Sequence, residues 1–119
     1  DGCCHIRKVL PQARAVSGFD ALITGRKKFQ TDTRQTMDVI ESSTDGRYKI
    51  NPLANWQLDA LKSYIETHNL PRHPLDAQGY VSIGCEPCTM KPAIGDEREG
   101  RWVGQNKTEC GLHTELISK

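Results

Sequence analysis

The chain has no long apolar run: its longest uninterrupted aliphatic stretch is three residues, Ala21 to Ile23. A membrane-spanning helix needs roughly 20 apolar residues and a secretory-signal core roughly 7–15, so the sequence predicts neither a membrane protein nor a visibly secreted one. Net charge is nearly absent as well, since 16 Lys and Arg against 15 Asp and Glu leave +1. Bulk polycationic binding to nucleic acid is excluded, and an anionic ligand must be met locally. Hydrophobic residues are 36% of the chain, which allows a core but a lean one. No methionine stands at the start. The chain opens Asp1-Gly2-Cys3-Cys4, with two candidate functional cysteines where chains usually fray, and it reads as a fragment whose N-terminal part is missing. At 119 residues it holds one domain at most, by a rule of roughly 100–200 residues per domain.

The charge that is present lies unevenly. Residues 1–35 carry 7 basic and 3 acidic side chains, residues 36–90 carry 4 and 7, and residues 91–119 carry 5 and 5. The basic lead-in is therefore where an anion is expected. Residues 6–16 predict a short helix around Pro11, and Phe19 to Thr24 predict a buried strand ending at Gly25. Arg26-Lys27-Lys28 follows that strand end directly. Ligands of open α/β sheets bind beyond the carboxyl ends of strands, so this cluster is a candidate anion site, with a solvated loop as the alternative. Arg47 to Ile50 alternates polar and apolar side chains as a half-buried strand does, and Asn51-Pro52 stops it. Asn55 can cap a helix over 56–68, in which Leu58, Leu61 and Ile65 share a packing face and Asn69 and Pro71 supply the stop. From His73 onward Gly and Pro recur without long periodicity, which predicts functional loops with short helical turns.

Five cysteines fall as Cys3-Cys4, Cys85-Glu86-Pro87-Cys88 and Cys110, with 80 residues between the two pairs. Structural disulfides are one reading, but vicinal and two-residue-spaced cysteines in an intracellular chain more often bind metal or do redox work. Zinc is a second reading, and four thiolates are available for it. Adjacent side chains diverge, which suits two corners of one tetrahedral ion poorly; a cubane iron–sulfur cluster presents separate iron corners that adjacent cysteines can each take. Spacing thus favours iron–sulfur while leaving zinc open. Cys110 sits apart in Glu109-Cys110-Gly111-Leu112-His113. A thiolate is the reactive form of cysteine, and Lys107 and His113 could favour it if they converge there; an inert spare cysteine is the alternative.

The segments CC-x2-RK, NPLANW, LPRHPL, QGYVSIGCEPCT, EREGRW and ECGLH occur along nearly the whole chain. In that order they resemble the assimilatory adenylyl-sulfate (APS) reductases, the iron–sulfur branch of the phosphoadenosine phosphosulfate (PAPS) reductase family. Members acting on the 3′-phosphorylated nucleotide without a cluster share the ECGLH-like tail but lack both cysteine pairs. The resemblance implies an α/β chain, the C-terminal part of a Rossmann-like adenine-nucleotide hydrolase-like fold, with residues 1–72 as the α/β part. Residues 73–119 would be an irregular cluster-binding loop and catalytic tail, the whole forming a single partial domain. The Ser-Gly-Gly-rich phosphate loop and first strands of the family do not occur in this sequence.

The resemblance further implies that Cys3, Cys4, Cys85 and Cys88 hold a four-iron, four-sulfur (4Fe-4S) cluster. It places Lys8 between cluster and substrate, where a cation offsets the repulsion of two anions. Arg98, Arg101 and His113 would contact the phosphosulfate, as would Arg26, from a segment with Arg34 that departs from the family's usual basic motif. Cys110 would attack the sulfur of adenosine 5′-phosphosulfate, giving S-sulfocysteine and AMP, and reduced thioredoxin, or a glutaredoxin-like reductant, would then release sulfite. The setting implied is the cytoplasm, without nucleic-acid or membrane partners; whether the chain forms a homo-oligomer is not legible. Two other readings stand beside this one: a PAPS reductase, and a non-catalytic four-cysteine metal module that binds a partner. The uncovered sheet edges of such a fragment predict marginal stability and some aggregation.

Overall fold

A computed structural model describes residues 2–92 and 100–114 of the chain. They divide into two compact units, one comprising Asp1–Lys27, Thr36–Asn55 and Glu109–Lys119, the other Lys28–Gln35 and Trp56–Thr108.

In the first unit, residues 2–16 form one helical stretch, α1, that is α-helical over Gly2–Cys4, π-helical over His5–Val9 and α-helical again over Leu10–Val16. The wide turn has a cause in the sequence. Pro11 has no N–H, and in a regular α-helix its ring would crowd the carbonyl of Arg7, four residues back. The Leu10 N–H reaches instead to the carbonyl of His5, the five-residue bond that defines a π turn. The helix predicted over 6–16 is therefore present, extended at its start to take in both Cys3 and Cys4.

Strands β1 (Ala21–Ile23), β2 (Ile40–Ser42) and β3 (Tyr48–Ile50) form a mixed sheet in the order β1-β3-β2. β1 runs parallel to β3 with Leu22 opposite Lys49, and β2 runs antiparallel to β3 with Glu41 opposite Lys49. The turn between β2 and β3 places Gly46 at φ 84°, a region open to glycine at little steric cost. Asp45 accepts the Arg47 N–H at 3.1 Å and Arg47 Nε at 2.8 Å. The Arg47 side-chain and backbone hydrogen bonds hold the Asp45 carboxyl below its ordinary value. Arg47 Nη1 also donates to the Val16 carbonyl at 2.9 Å, which at the end of α1 accepts the Phe19 N–H at 3.0 Å as well.

The strand predicted over 19–24 differs from the one observed. It is three residues long, only Leu22 is half-buried, and Phe19 and Ile23 are 66% and 71% exposed. The reason is its place in the sheet: β1 is an edge strand, and Ile23 aligns with Ile50 and Ile40 across a face on which Ile40 is itself 61% exposed. Strand β3 is half-buried as its alternation predicts, but the buried side chain is Lys49, at 7% exposure.

In the second unit, two 3-10 turns (Lys28–Gln30 and Asp32–Arg34) precede helix α2 (Leu58–Thr67). Its N-cap is Gln57, not Asn55 as predicted: Gln57 has extended dihedrals and its carbonyl accepts the Leu61 N–H at 3.1 Å, while Asn55 lies in the turn that follows Asn51. The predicted stop is present, with Asn69 left-handed at φ 47° and Pro71 beyond it. Leu58, Leu61 and Ile65 are half-buried on one face, and Trp56 meets Tyr64 edge-on at 5.3 Å. Beyond residue 71 the described part of this unit has only the short turns Asp76–Gln78 and Glu86–Cys88 and an isolated pairing of Thr89 with Arg101. The core is lean, with Val9, Met37 and Ala54 buried in the first unit and Trp102 in the second. Among the described residues no helix is long and apolar enough to cross a membrane.

Candidate active site

The face of the small sheet opposite the isoleucines is polar. Side chains of paired residues share a face and alternate along each strand, so Leu22, Glu41 and Lys49 lie side by side, with Thr24 and Asn51 two residues further on. Asn51 is fully buried and uses its whole side-chain capacity. Its Oδ1 accepts from Thr24 Oγ1 and from Arg26 Nη2 at 3.1 Å, and its Nδ2 donates to the Asp38 carbonyl at 2.8 Å and to Glu41 Oε2 at 2.7 Å. Arg26 Nη2 also pairs with Glu41 Oε2. The Arg26 side chain is 11% exposed, and its Nε is buried with no hydrogen-bond partner among the described residues.

Arg26, Glu41 and Lys49 leave this face one net positive charge. Burial pushes the Lys49 ammonium below its ordinary value; Arg26 pushes it the same way, while Glu41, Asp45 and Glu109 oppose the shift. Lys49 is buried and Arg26 nearly so, charges that are costly to desolvate, and Arg26 follows the carboxyl end of β1, where an anion is expected to arrive. The predicted basic cluster is thus partly present: Arg26 turns inward, whereas Lys27 Nζ folds back on the Gly25 carbonyl at 3.0 Å.

Cys110 also belongs to the first unit. It directly precedes the short helix α3 (Gly111–Thr114), and its carbonyl accepts the His113 N–H at 2.9 Å. Helix α3 packs against the π turn of α1. That packing brings Cys110 Sγ to 3.8 Å from Cys4 Sγ, across 106 positions of sequence. Both thiols are half-buried, whereas Cys3, one helical position away, is exposed. Lys8 is half-buried on the same π turn, and His113 is half-buried on α3.

Cys85 and Cys88 belong to the second unit, on the Glu86–Cys88 turn. The Cys85 carbonyl accepts the Cys88 N–H and Thr89 Oγ1, each at 2.9 Å. Pro87 sits in the first turn without loss, where its missing N–H would have had no partner within the helix. The turn is braced by a second strand of chain: Met90 N–H donates to the Gly100 carbonyl at 2.7 Å and Trp102 N–H to the Cys88 carbonyl at 3.2 Å. Gly100 is required for this approach, because a Cβ there would lie 2.0 Å from the Met90 carbonyl oxygen. Arg101 then crosses Gly84, donates from Nη1 to the Ile83 carbonyl at 3.2 Å and lies 4.4 Å from the Trp102 ring centre. A Cβ on Gly84 would stand 2.1 Å from Arg101 Nη2. Like Arg26, Arg101 keeps a buried Nε with no hydrogen-bond partner among the described residues.

The structure therefore brings together Cys4 and Cys110, and separately Cys85 and Cys88. Among the described residues no three His, Cys, Asp or Glu side chains gather closely enough to hold a metal ion. Lys107 belongs to the second unit, where its Nζ lies 5.9 Å from the Trp102 ring centre. Arg34 is buried there too, donating to Gln30 Oε1 at 2.5 Å. Arg98 lies outside the described residues. A small cavity between Val16 and the β2–β3 turn has a volume of about 30 Å³, room for one water rather than a nucleotide. Glu41, Lys49 and Asn51 are the polar residues that reading the sequence left out. The signal for them was Asp45-Gly46 between two short segments carrying strand-favouring residues, Val39-Ile40 before it and Tyr48 and Ile50 after it, a hairpin signature that sets Glu41 against Lys49.

Comparison with known proteins bears on these residues. The family model described as phosphoadenosine phosphosulfate reductase domain matches residues 1–91. An adenosine 5′-phosphosulfate reductase of Mesorhizobium japonicum is 50% identical over 95% of this chain and 44% of its own length. One of Rhodococcus opacus is 47% identical over 93% of this chain and 46% of its own, and adenosine 5′-phosphosulfate reductase 2 of Bacillus subtilis is 44% identical over 95% and 49%. The chain thus spans about half the length of these curated relatives. Among solved structures, that of phosphoadenylyl-sulfate (PAPS) reductase from Candida auris in a phosphate complex superposes with a TM-score of 0.61 at 37% identity. It covers 72% of this chain and 41% of that one.

Proposed function

Because the chain belongs to the phosphoadenosine phosphosulfate reductase family, we propose that it is the nucleophile-bearing part of a cytoplasmic adenosine 5′-phosphosulfate reductase of sulfate assimilation. The observation that carries this reading is the 44–50% identity, along at least 93% of the chain, to relatives bearing that name. The packing of α3 on α1, which holds Cys110 beside the helix of Lys8, is consistent with it.

In this reading the Cys110 thiolate attacks the sulfuryl sulfur. A bond forms between the two sulfurs as the sulfur–oxygen bond to the phosphate breaks, and AMP leaves with the electron pair. A thioredoxin thiolate then attacks Cys110 Sγ of the S-sulfocysteine and expels sulfite; its second thiol resolves the mixed disulfide, so thioredoxin is oxidised by two electrons and Cys110 returns as a thiol. Charge neutralisation and positioning supply most of the rate in such a transfer between nucleophiles. Lys8, Arg26, Arg101 and His113, with Arg98, are the groups proposed to meet the anion. The unpartnered Nε atoms of Arg26 and Arg101 are donors still open to an oxygen.

The donor set fits a thiolate-held cluster in its chemistry: four free cysteines in two pairs, three of them half-buried. Cys3, Cys4, Cys85 and Cys88 would hold a 4Fe-4S group, which supplies a fixed negative charge beside Lys8 when bound.

Replacing Cys110 with Ser in the full-length parent, supplied with thioredoxin, is expected to lower sulfite formation from adenosine 5′-phosphosulfate by at least about a thousandfold with iron and sulfide content unchanged. Undiminished sulfite formation would overturn the reading and favour a non-catalytic four-cysteine module. The Candida auris neighbour, whose name specifies the 3′-phosphorylated nucleotide, keeps that substrate as the second reading. Turnover of the two nucleotides by the parent separates them, and the paired cysteines predict preference for the unphosphorylated one.

A further inference from the structure

Of the two cations that leave β1 within the first unit, Lys27 returns to the Gly25 carbonyl and only Arg26 turns into the sheet. What holds Arg26 there comes from the neighbouring strands. Its Nη2 donates to Glu41 Oε2, on β2, and to Asn51 Oδ1, directly after β3, the latter at 3.1 Å. Asn51 Nδ2 donates in turn to the same Glu41 Oε2 at 2.7 Å. One carboxylate oxygen thus fixes both the guanidinium and the amide that braces it. The Arg26 Nε is nevertheless buried without a hydrogen-bond partner among the described residues. Glu41 is itself 34% exposed and stands beside the two cations, Arg26 and Lys49.

We propose that Glu41 is a positioning residue of the anion site: its Oε2, braced by Asn51, fixes the Arg26 guanidinium so that its remaining donors are held ready for an oxygen of the phosphosulfate. This rests on the reading above, in which Arg26 meets the anion of adenosine 5′-phosphosulfate. An arginine left free at a strand end must be ordered when its ligand arrives, and that ordering is subtracted from affinity. Held from one side by Glu41, the guanidinium is ordered beforehand. In charge alone the carboxylate opposes binding, because it repels an incoming anion. The two roles therefore differ in sign. Removing a carboxylate without a geometric role tightens anion binding, whereas removing one that orients Arg26 weakens it.

The test measures binding of adenosine 5′-phosphosulfate by titration calorimetry in the full-length parent carrying Cys110→Ser, which removes the nucleophile and so prevents turnover. Glu41→Ala is expected to raise Kd about tenfold, the cost of ordering one long side chain, at unchanged stoichiometry. A merely structural role would instead lower the stoichiometry and leave the Kd of the folded fraction in place. Glu41→Gln, whose amide oxygen can still accept from Arg26 Nη2 and Asn51 Nδ2, is expected to bind as the parent does. In an Arg26→Ala background, itself weaker, Glu41→Ala is expected to add nothing, since no guanidinium remains to be held. A Kd for Glu41→Ala that is unchanged or lower, or that rises equally with and without Arg26, overturns the proposal. Glu41→Asp covers the case in which the alanine variant does not fold: it keeps the charge one methylene short of its partners and is expected to weaken binding. Parent-like binding by Glu41→Asp with weakened binding by Glu41→Gln would assign the effect to charge and overturn the proposal as well. The underlying reading fails differently: an Arg26→Ala chain that binds as tightly as the parent removes Arg26 from the anion site, and a parent that does not bind the nucleotide refutes the reading itself.

Discussion

Replacing Asn51 with Ala tests whether the polar sheet face is a single connected network. The side chain makes two hydrogen bonds to neutral groups, Thr24 Oγ1 and the Asp38 carbonyl, and two to charged ones, Arg26 Nη2 and Glu41 Oε2. Neutral bonds are worth about 1 kcal/mol net and bonds to charged groups about 2, which bounds the loss near ~6 kcal/mol. Part of that is recovered. Arg26 and Glu41 remain paired to each other, the half-buried Thr24 hydroxyl can meet water, and water can enter the vacated polar site. About 3 kcal/mol remains, a large share of a small domain's ~5–15 kcal/mol stability. The amides of Thr24, Tyr48 and Asn51, which donate to Ile50, Asp20 and Val39, report the opening of this sheet directly. At about 1.4 kcal/mol per decade, their native-state hydrogen exchange should accelerate about 100-fold. The Leu61 amide of the second unit serves as an internal reference that changes less. Acceleration below about threefold at the three sheet amides, under ~0.7 kcal/mol, would show that the network does not stabilise the sheet, and the argument from buried hydrogen bonds would fail.

Lys49→Met should stabilise the fold by about 1 kcal/mol at neutral pH, because the buried ammonium costs more than its neighbours return. With the lysine value lowered in the folded state, the unfolded chain holds the proton more tightly. The penalty is full below the lowered value and disappears as pH rises through it towards the ordinary 10.5, so urea melts of the two chains should converge across that window. Gly84→Ala should drive the Arg101 guanidinium off the Ile83 carbonyl. Overpacking of this kind costs about 1–3 kcal/mol, and KM for the nucleotide in the full-length parent should rise about tenfold, as for Arg101→Ala; an unchanged KM in both would remove Arg101 from the proposed anion site. Arg72→Ala should leave the urea midpoint within about 0.5 kcal/mol, since the Arg72–Asp76 pair is 49% and 40% exposed; a larger loss would mean the pair does more than its exposure allows.

Much of the local structure follows from residues that act within a turn or two. Pro11 forces the wide turn of α1, Asn69 and Pro71 end α2, and the described residues after His73 form only short turns and the one-turn α3. The start of α2 was misread because Asn55 is a good cap by type, yet the turn following Asn51 absorbs it and leaves the role to Gln57. β1 was misread for a different reason. An apolar run signals burial only when something covers both faces, and β1 is an edge strand with Ile23 facing outward. Burial of Lys49 ran against its type, since lysine is almost never fully buried unless paired; its cross-strand partner Glu41 is close because the hairpin sets the register, and Arg26 is nearby because β1 pairs with β3.

The sequence by itself determined the family, through two cysteine pairs and a CGLH tail whose order and spacing survive without any knowledge of the fold. It also determined the candidate nucleophile and the basic residues, because their chemistry is a property of side-chain type. Which of these residues meet was decided only by tertiary structure. Cys4 and Cys110 are 106 positions apart, and no local pattern encodes their 3.8 Å separation; it exists because α3 packs on the π turn of α1. In the same way Arg26, Glu41 and Asn51 come from three different segments and converge through strand pairing. Side-chain type is written residue by residue, whereas proximity across the chain is set by the burial and backbone pairing of everything between.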